Sequence, residues 1–172
     1  MDGMHNYWHQ AGTSAILRSS HTTTVDPSAP TLREAAFWVY VRQCLYNATI
    51  NQQPPNLDFS LELYPEPVSI QDHHPLAKLR LETAWANQMT WHCARVTNFC
   101  FEKNSSADMG SRMKIWTTLW DDVQHWKNTR PESFNPIWGG QSESSVFPEM
   151  FFIADWHSAS TLPLLRIDAD KK

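Results

Sequence analysis

The chain has 172 residues, enough for one sizeable core and at most two compact domains. Lys and Arg number 14 against 18 Asp and Glu, a net charge of −4, so the clustered basic excess that phosphate binding needs is missing. Apolar residues make up 41% and charged residues 19%, which excludes an intrinsically disordered chain, and 9 Trp, 4 Tyr and 8 Phe demand a core or an interface.

The first ten residues are polar, with His5 and His9, and no secretory leader is expected there. No run approaches the roughly 18 apolar residues of a membrane span. Cys44, Cys93 and Cys100 are odd in number and widely spaced, which does not read as a disulfide framework and favours a reducing compartment. The sequons at Asn47 and Asn104 are then chance matches.

Residues 1–30 read as a polar leader or linker, with one short helix expected over Ala11 to Leu17. A first long helix starts at Thr31, where Thr31-Leu32-Arg33-Glu34 fits a capping box. Phe37, Val41, Cys44, Leu45 and Ala48 recur at helical spacing to about Ile50, and the helix is apolar on most sides, which predicts deep burial. From Asn51 to His74 runs a connection with Pro54, Pro55, Pro65 and Pro67, expected to pack across the helices in extended form.

A second helix is predicted from Pro75 to about Phe101, at 1.5 Å per residue roughly 40 Å long. Its stripe is Leu81, Trp85, Met89, Cys93, Val96 and Cys100. Asn104 to Ser106 and Gly110 break the chain before a third helix, about Ser111 to Asn128. There Trp116, Leu119, Trp120, Val123 and Trp126 share one face, and Lys114, Thr117, Thr118 and Asp121 share a solvated one. A linker from Pro131 to Val146 follows. A fourth helix is predicted near Pro148, with Glu149 in its first turn, carrying Phe151, Phe152 and Trp156 and ended by Pro163. No strand alternation stands out. The fold class is all-α: a packed helical array with long proline-containing connections, residues 31–162, then a tail at 163–172.

Catalytic and metal chemistry finds little support. Glycine-rich phosphate loops are absent, and Gly139-Gly140-Gln141-Ser142 reads as flexible loop. His92 and Cys93 are adjacent, so on a helix they point about 100° apart and cannot act as base and nucleophile. Cys93 and Cys100 fall on the apolar stripe, where cysteine behaves as a small hydrophobe. His5 with His9, or His73-His74 beside Asp72, lacks a third fixed ligand, and no metal or other cofactor is expected. His92, His125 and His157 read as packed helical histidines, and Asp121-Asp122 as a solvated acidic patch. Trp85, Trp116 and Trp120 read as core packing, with an aromatic-lined pocket for a small effector as the other reading. No catalytic, cofactor or metal residue is assigned, and an enzyme is not expected.

Glu34-Ala35-Ala36-Phe37-Trp38-Val39-Tyr40-Val41-Arg42-Gln43, followed by Asn51-Gln52-Gln53-Pro54-Pro55, resembles the fungal-specific regulatory region of zinc-binuclear-cluster transcription factors. Trp116, Leu119, Val123 and Trp126, then Pro131, Phe134 and Pro136, are similar to the same family's tryptophan-spaced segment. So are Phe147-Pro148 leading to His157, and Trp8-His9 with Gly12 to Arg18. The resemblance spans roughly residues 8–160. It implies a nuclear, all-helical piece of a larger regulatory domain that senses an effector or contacts protein partners. Members of the family bind DNA through six cysteines holding two zinc ions. Cys44, Cys93 and Cys100 do not have that spacing, and Pro163 interrupts the last helix where the family continues. Direct nucleic-acid binding and membrane insertion are therefore not expected of this chain. Another reading is a stand-alone helical interaction or dimerisation domain. Helices apolar beyond one stripe predict self-association, through aromatics of the second or fourth helix.

Overall fold

The computed structural model describes residues 24–25, 31–63, 76–102, 108–140 and 149–161. Within them the chain is mostly helical, a packed all-α array with two minimal β ribbons. The expected short helix at Ala11 to Leu17, the pairs His5/His9 and His73/His74, Pro75, Asn104 and Pro163 lie outside the described residues.

Helix α1 spans Leu32–Asn51. Thr31 caps it as expected: its Oγ1 accepts from the Glu34 backbone N–H at 3.2 Å. The helix stops at Gln52, which adopts the left-handed conformation and donates its N–H to the Ala48 carbonyl. Pro54-Pro55 then bars continuation. Phe37, Trp38, Tyr40, Val41, Cys44 and Ala48 form the buried face. The opposite face of α1 is exposed, contrary to the deep burial expected from its all-round apolarity, because no described element packs there.

The connection after α1 does return across the helices. Leu57, Phe59 and Leu61 pack on a core of Phe37, Trp38, Val41 and Trp91. Tyr40 Oη donates to the Asn56 carbonyl at 2.9 Å and holds the crossing in place. The same crossing ends in β2 (Glu62–Leu63), which pairs in parallel with β1 (Thr24–Val25).

Helix α2, Ala77–Phe101, is the central element, in contact with both α1 and α3 (Met109–Thr129). Its burial is broader than one stripe. Trp85 and Met89 face α3, Trp91 faces α1, and Ala84, Ala86 and Ala94 are small enough to let neighbours approach. Cys100, read as part of the core stripe, is exposed. Arg42 on α1 donates to Asn87 Oδ1 on α2 at 2.7 Å, which satisfies a buried amide.

Helix α3 is capped by Asp108, whose Oδ1 accepts from the Ser111 N–H; Gly110 sits inside the first turn and does not break the chain. Leu119, Val123 and Trp126 are buried against α2, and Trp126 Nε1 donates to the Trp85 carbonyl at 2.9 Å. Trp85, Ala86, Met89, Val123, Trp126 and Phe134 make the second core, with Phe134 delivered by a 3₁₀ turn at Glu132–Phe134. Trp116 is a correction to the reading of one apolar face. It is exposed and stacks on Trp120 at 5.8 Å, since one helix presents only an arc to its neighbour and Leu119, Val123 and Trp126 occupy it.

The fourth predicted helix is also corrected. Glu149–Phe151 is a strand, β4, antiparallel to β3 (Trp138–Gly140), and only residues 155–161 are helical, α4. Trp138 lies directly opposite Phe151, with ring centroids 5.5 Å apart, a cross-strand aromatic pair that favours the ribbon over a helix. Gly140 permits the fold of that pair: a Cβ there would stand 2.8 Å from the Trp138 ring. Neither core contains a residue of the ribbon.

The expected exposed patch on the second or fourth helix is found elsewhere for the most part. The α2 aromatics Trp85 and Trp91 are buried, whereas Phe151 and Trp156 are exposed. The other exposed apolar side chains lie largely on α1 and α3. No described helix is long and apolar enough to cross a membrane.

Candidate functional site

A cleft of about 200 Å³ opens where the C-terminal turns of α2 meet the N-terminal turns of α3, beside the crossing segment after α1. Its apolar lining is Phe59, Phe99, Ile115 and Leu119; its polar lining is Arg95, Asn98, Glu102 and Arg112. Each helix contributes through its i, i+3, i+4 spacing: Arg95, Asn98 and Phe99 on α2 with Glu102 at its C-cap, and Arg112, Ile115 and Leu119 on α3.

The two arginines are held in different ways. Arg95 Nη1 lies 2.5 Å from Asp122 Oδ2, an ion pair between α2 and α3 that is about one-third exposed. The Arg112 guanidinium sits 4.5 Å over the Phe99 ring and donates to the Phe99 carbonyl at 3.3 Å. That carbonyl belongs to the last turn of α2, which lacks intrahelical donors and carries the negative end of the helix dipole. Arg112 therefore closes the helix end and leaves part of its charge at the cleft. Asn98 Nδ2 donates to Glu102 Oε2 at 3.3 Å, which keeps that carboxylate beside its own helix.

The residues weighed in the sequence fall into three places. Asp122 reaches Arg95 while Asp121 is solvent-facing, so the acidic pair does not act together. His92 is near Asp122, Arg95 and His125; burial drives its pKa down to about 4, against the attraction of Asp122, so the ring is neutral. Cys93 is pushed up to about 11 by burial and is a thiol at neutral pH. Burial likewise raises Cys44. No group of three His, Cys, Asp or Glu side chains converges on a metal-sized space among the described residues. Trp85, Trp116 and Trp120, the aromatics considered for a pocket, do not line the cleft; Phe59 and Phe99 supply its rings.

One polar contact escaped the sequence reading. His157 Nε2 lies 3.2 Å from Glu82 Oε2, both buried, and the imidazole packs on Phe134 at 4.5 Å. The pair ties α4 to the first turns of α2, and Thr161 Oγ1 adds a bond to the Phe134 carbonyl at 3.4 Å. Glu82 lies off the α2 stripe, and nothing local connects it to a histidine 75 positions away. The contact docks α4 on α2.

No family model, curated protein or solved structure matches the chain.

Proposed function

We propose that this chain is a regulatory portion of a fungal transcription-factor-like protein, an effector-sensing or partner-binding helical domain that acts on transcription through an attached or lost DNA-binding unit. The observation that carries this reading is the cleft between α2 and α3, in which two guanidiniums border an apolar, ring-containing lining. The volume suits a small ligand, below the usual range for drug-sized molecules; Arg95 is engaged by Asp122 and Glu102 adds an acid to the lining, so Arg112, seated on the neutral Phe99 ring and carbonyl, is the group that would meet a carboxylate attached to an apolar body. The sequence resemblance supports the same reading: its most specific block supplies the buried face of α1, and its tryptophan-spaced block supplies Leu119, Val123 and Trp126. Such motifs specify a scaffold, and the scaffold forms the cleft as a by-product of where α2 and α3 meet. The reading assigns no catalysis to the chain.

A fusion of the chain to an unrelated DNA-binding domain tests it. Reporter transcription is expected to differ from that of the DNA-binding domain alone. Ile115→Arg, which adds a third cation and fills the cleft, is expected to remove the response to small apolar acids. A fusion indistinguishable from the DNA-binding domain under every condition would count against a regulatory role. The reading of a stand-alone interaction domain then gains weight, favoured by the uncovered apolar side chains on α1 and α3.

A further inference from the structure

The cleft between α2 and α3 carries opposite charges that do not meet. Arg112 and Glu102 both line it, yet among the described residues they form no ion pair. Arg112 lies over the Phe99 ring and donates to the Phe99 carbonyl, while Glu102 accepts from Asn98 through one oxygen, Oε2. Each is held on a neutral partner, with charge left over. The other cation of the lining, Arg95, is matched by Asp122. Glu102 also stands in an unfavourable place for its own helix. It is the C-cap of α2, at the negative end of the helix dipole, and no basic residue occupies the last turn. A carboxylate there adds negative charge where the helix already has it, and a local rule broken in this way is characteristic of a functional site. The group that relieves it is a cation.

We propose that the cleft binds a free α-amino acid with an apolar side chain, its carboxylate on Arg112, its ammonium on Glu102 and its side chain against Phe59, Ile115 and Leu119. The proposal rests on the effector reading of the same cleft and names the class of ligand. A simple acid satisfies Arg112 but sets its charge beside Glu102, and a simple amine has the reverse conflict with Arg112. A ligand with both charges offsets the two together, and an α-amino acid carries them on one carbon. Glu102 is three positions beyond Phe99, the seat of Arg112, and residues so spaced on a helix have Cβ atoms about 5–6 Å apart, within reach of one such headgroup. The rest of the lining is apolar. Phe59 is backed by Trp91, with ring centroids 5.4 Å apart, and Leu119 is buried, so this wall is fixed. A cleft of about 200 Å³ fits a single amino acid and is too small for a longer peptide.

Calorimetric titration of the full chain compares L-leucine with 4-methylpentanoate, which lacks the ammonium, and with 3-methylbutylamine, which lacks the carboxylate. L-Leucine is expected to bind about 10- to 100-fold more tightly than either, the value of one hydrogen-bonded charge contact. Glu102→Gln is expected to remove the preference over 4-methylpentanoate without weakening binding of that acid, and without lowering the melt, because Glu102 is exposed. Lys103, the next residue in the sequence, lies outside the described residues, and Lys103→Gln is expected to keep the preference. Binding of 4-methylpentanoate or 3-methylbutylamine as tight as that of L-leucine, a preference that survives Glu102→Gln, or one that disappears in Lys103→Gln would each overturn the proposal and leave the effector reading standing. Failure of both L-leucine and 4-methylpentanoate to bind would overturn the effector reading with it.

Discussion

At the end of α1 the chain turns on Gln52, with φ of 52° and ψ of 50°. A side chain in that region crowds its own carbonyl at a cost of about 1–2 kcal/mol, and glycine is the residue that avoids it. Gln52→Gly should therefore raise stability by about 1 kcal/mol, seen as a higher urea midpoint with unchanged slope. His92 offers a test of the opposite kind. Its folded pKa is about 4 against 6.5 in the open chain, so the unfolded state binds the proton first as pH falls. The neutral ring's contribution is complete above about pH 6.5 and is lost as pH falls toward 4, at most about 3 kcal/mol. Urea titrations at pH 7 and pH 4 should show that loss in the parent and a smaller one in His92→Gln. Equal losses would mean that other groups carry the acid sensitivity.

The elements hold together through a few rings shared between helices. Phe37 touches Trp38 edge-on at 5.2 Å and tilts over Trp91 at 6.1 Å, so it joins α1 to α2. Phe37→Ala should cost about 3–5 kcal/mol, because the rings around it cannot collapse onto the void. Trp116 and Trp126 are ten residues apart on α3 and read alike in the sequence, but only Trp126 is inserted between Trp85 and Phe134. Trp126→Ala should cost about 3–5 kcal/mol and Trp116→Ala no more than about 1.5 kcal/mol, the value of its stack on Trp120. Denaturant melts of the two variants measure the difference, and similar costs would mean that the Trp116 face is covered in solution.

For the whole molecule, two aromatic cores lie on either side of α2. One is shared with α1 and the crossing segment, the other with α3 and Phe134. The third helix leans on α2 through Arg95–Asp122 and the Trp126 bond to Trp85, and α4 is docked by His157 on Glu82. The surface that remains combines a net charge of −4 with uncovered apolar faces on α1 and α3. The isolated chain should show no sequence-selective shift of duplex DNA at physiological salt, and a salt-dependent, sequence-selective shift would contradict that.

The helices were legible before the structure because their signals are local. Thr31 caps its own helix, Pro54-Pro55 forbids its continuation, and a 3.6-residue period places Phe37 with Val41 or Trp85 with Met89 on one side. The cleft was not legible: the pocket reading rested on Trp85, Trp116 and Trp120, whereas Phe59 and Phe99 meet through a crossing segment that leaves no periodic trace. Glu149–Phe151 carried the aromatics of a buried helix, yet strand pairing with Trp138–Gly140 prevailed, and that choice depends on a segment eleven positions away. The same holds for Glu82 with His157 and for the exposed face of α1. Local composition states which residues avoid water. Which of them succeed is decided by how many neighbours each helix face finds, and among the described residues three long helices packed in a row leave apolar side chains on the outer faces of α1 and α3 exposed.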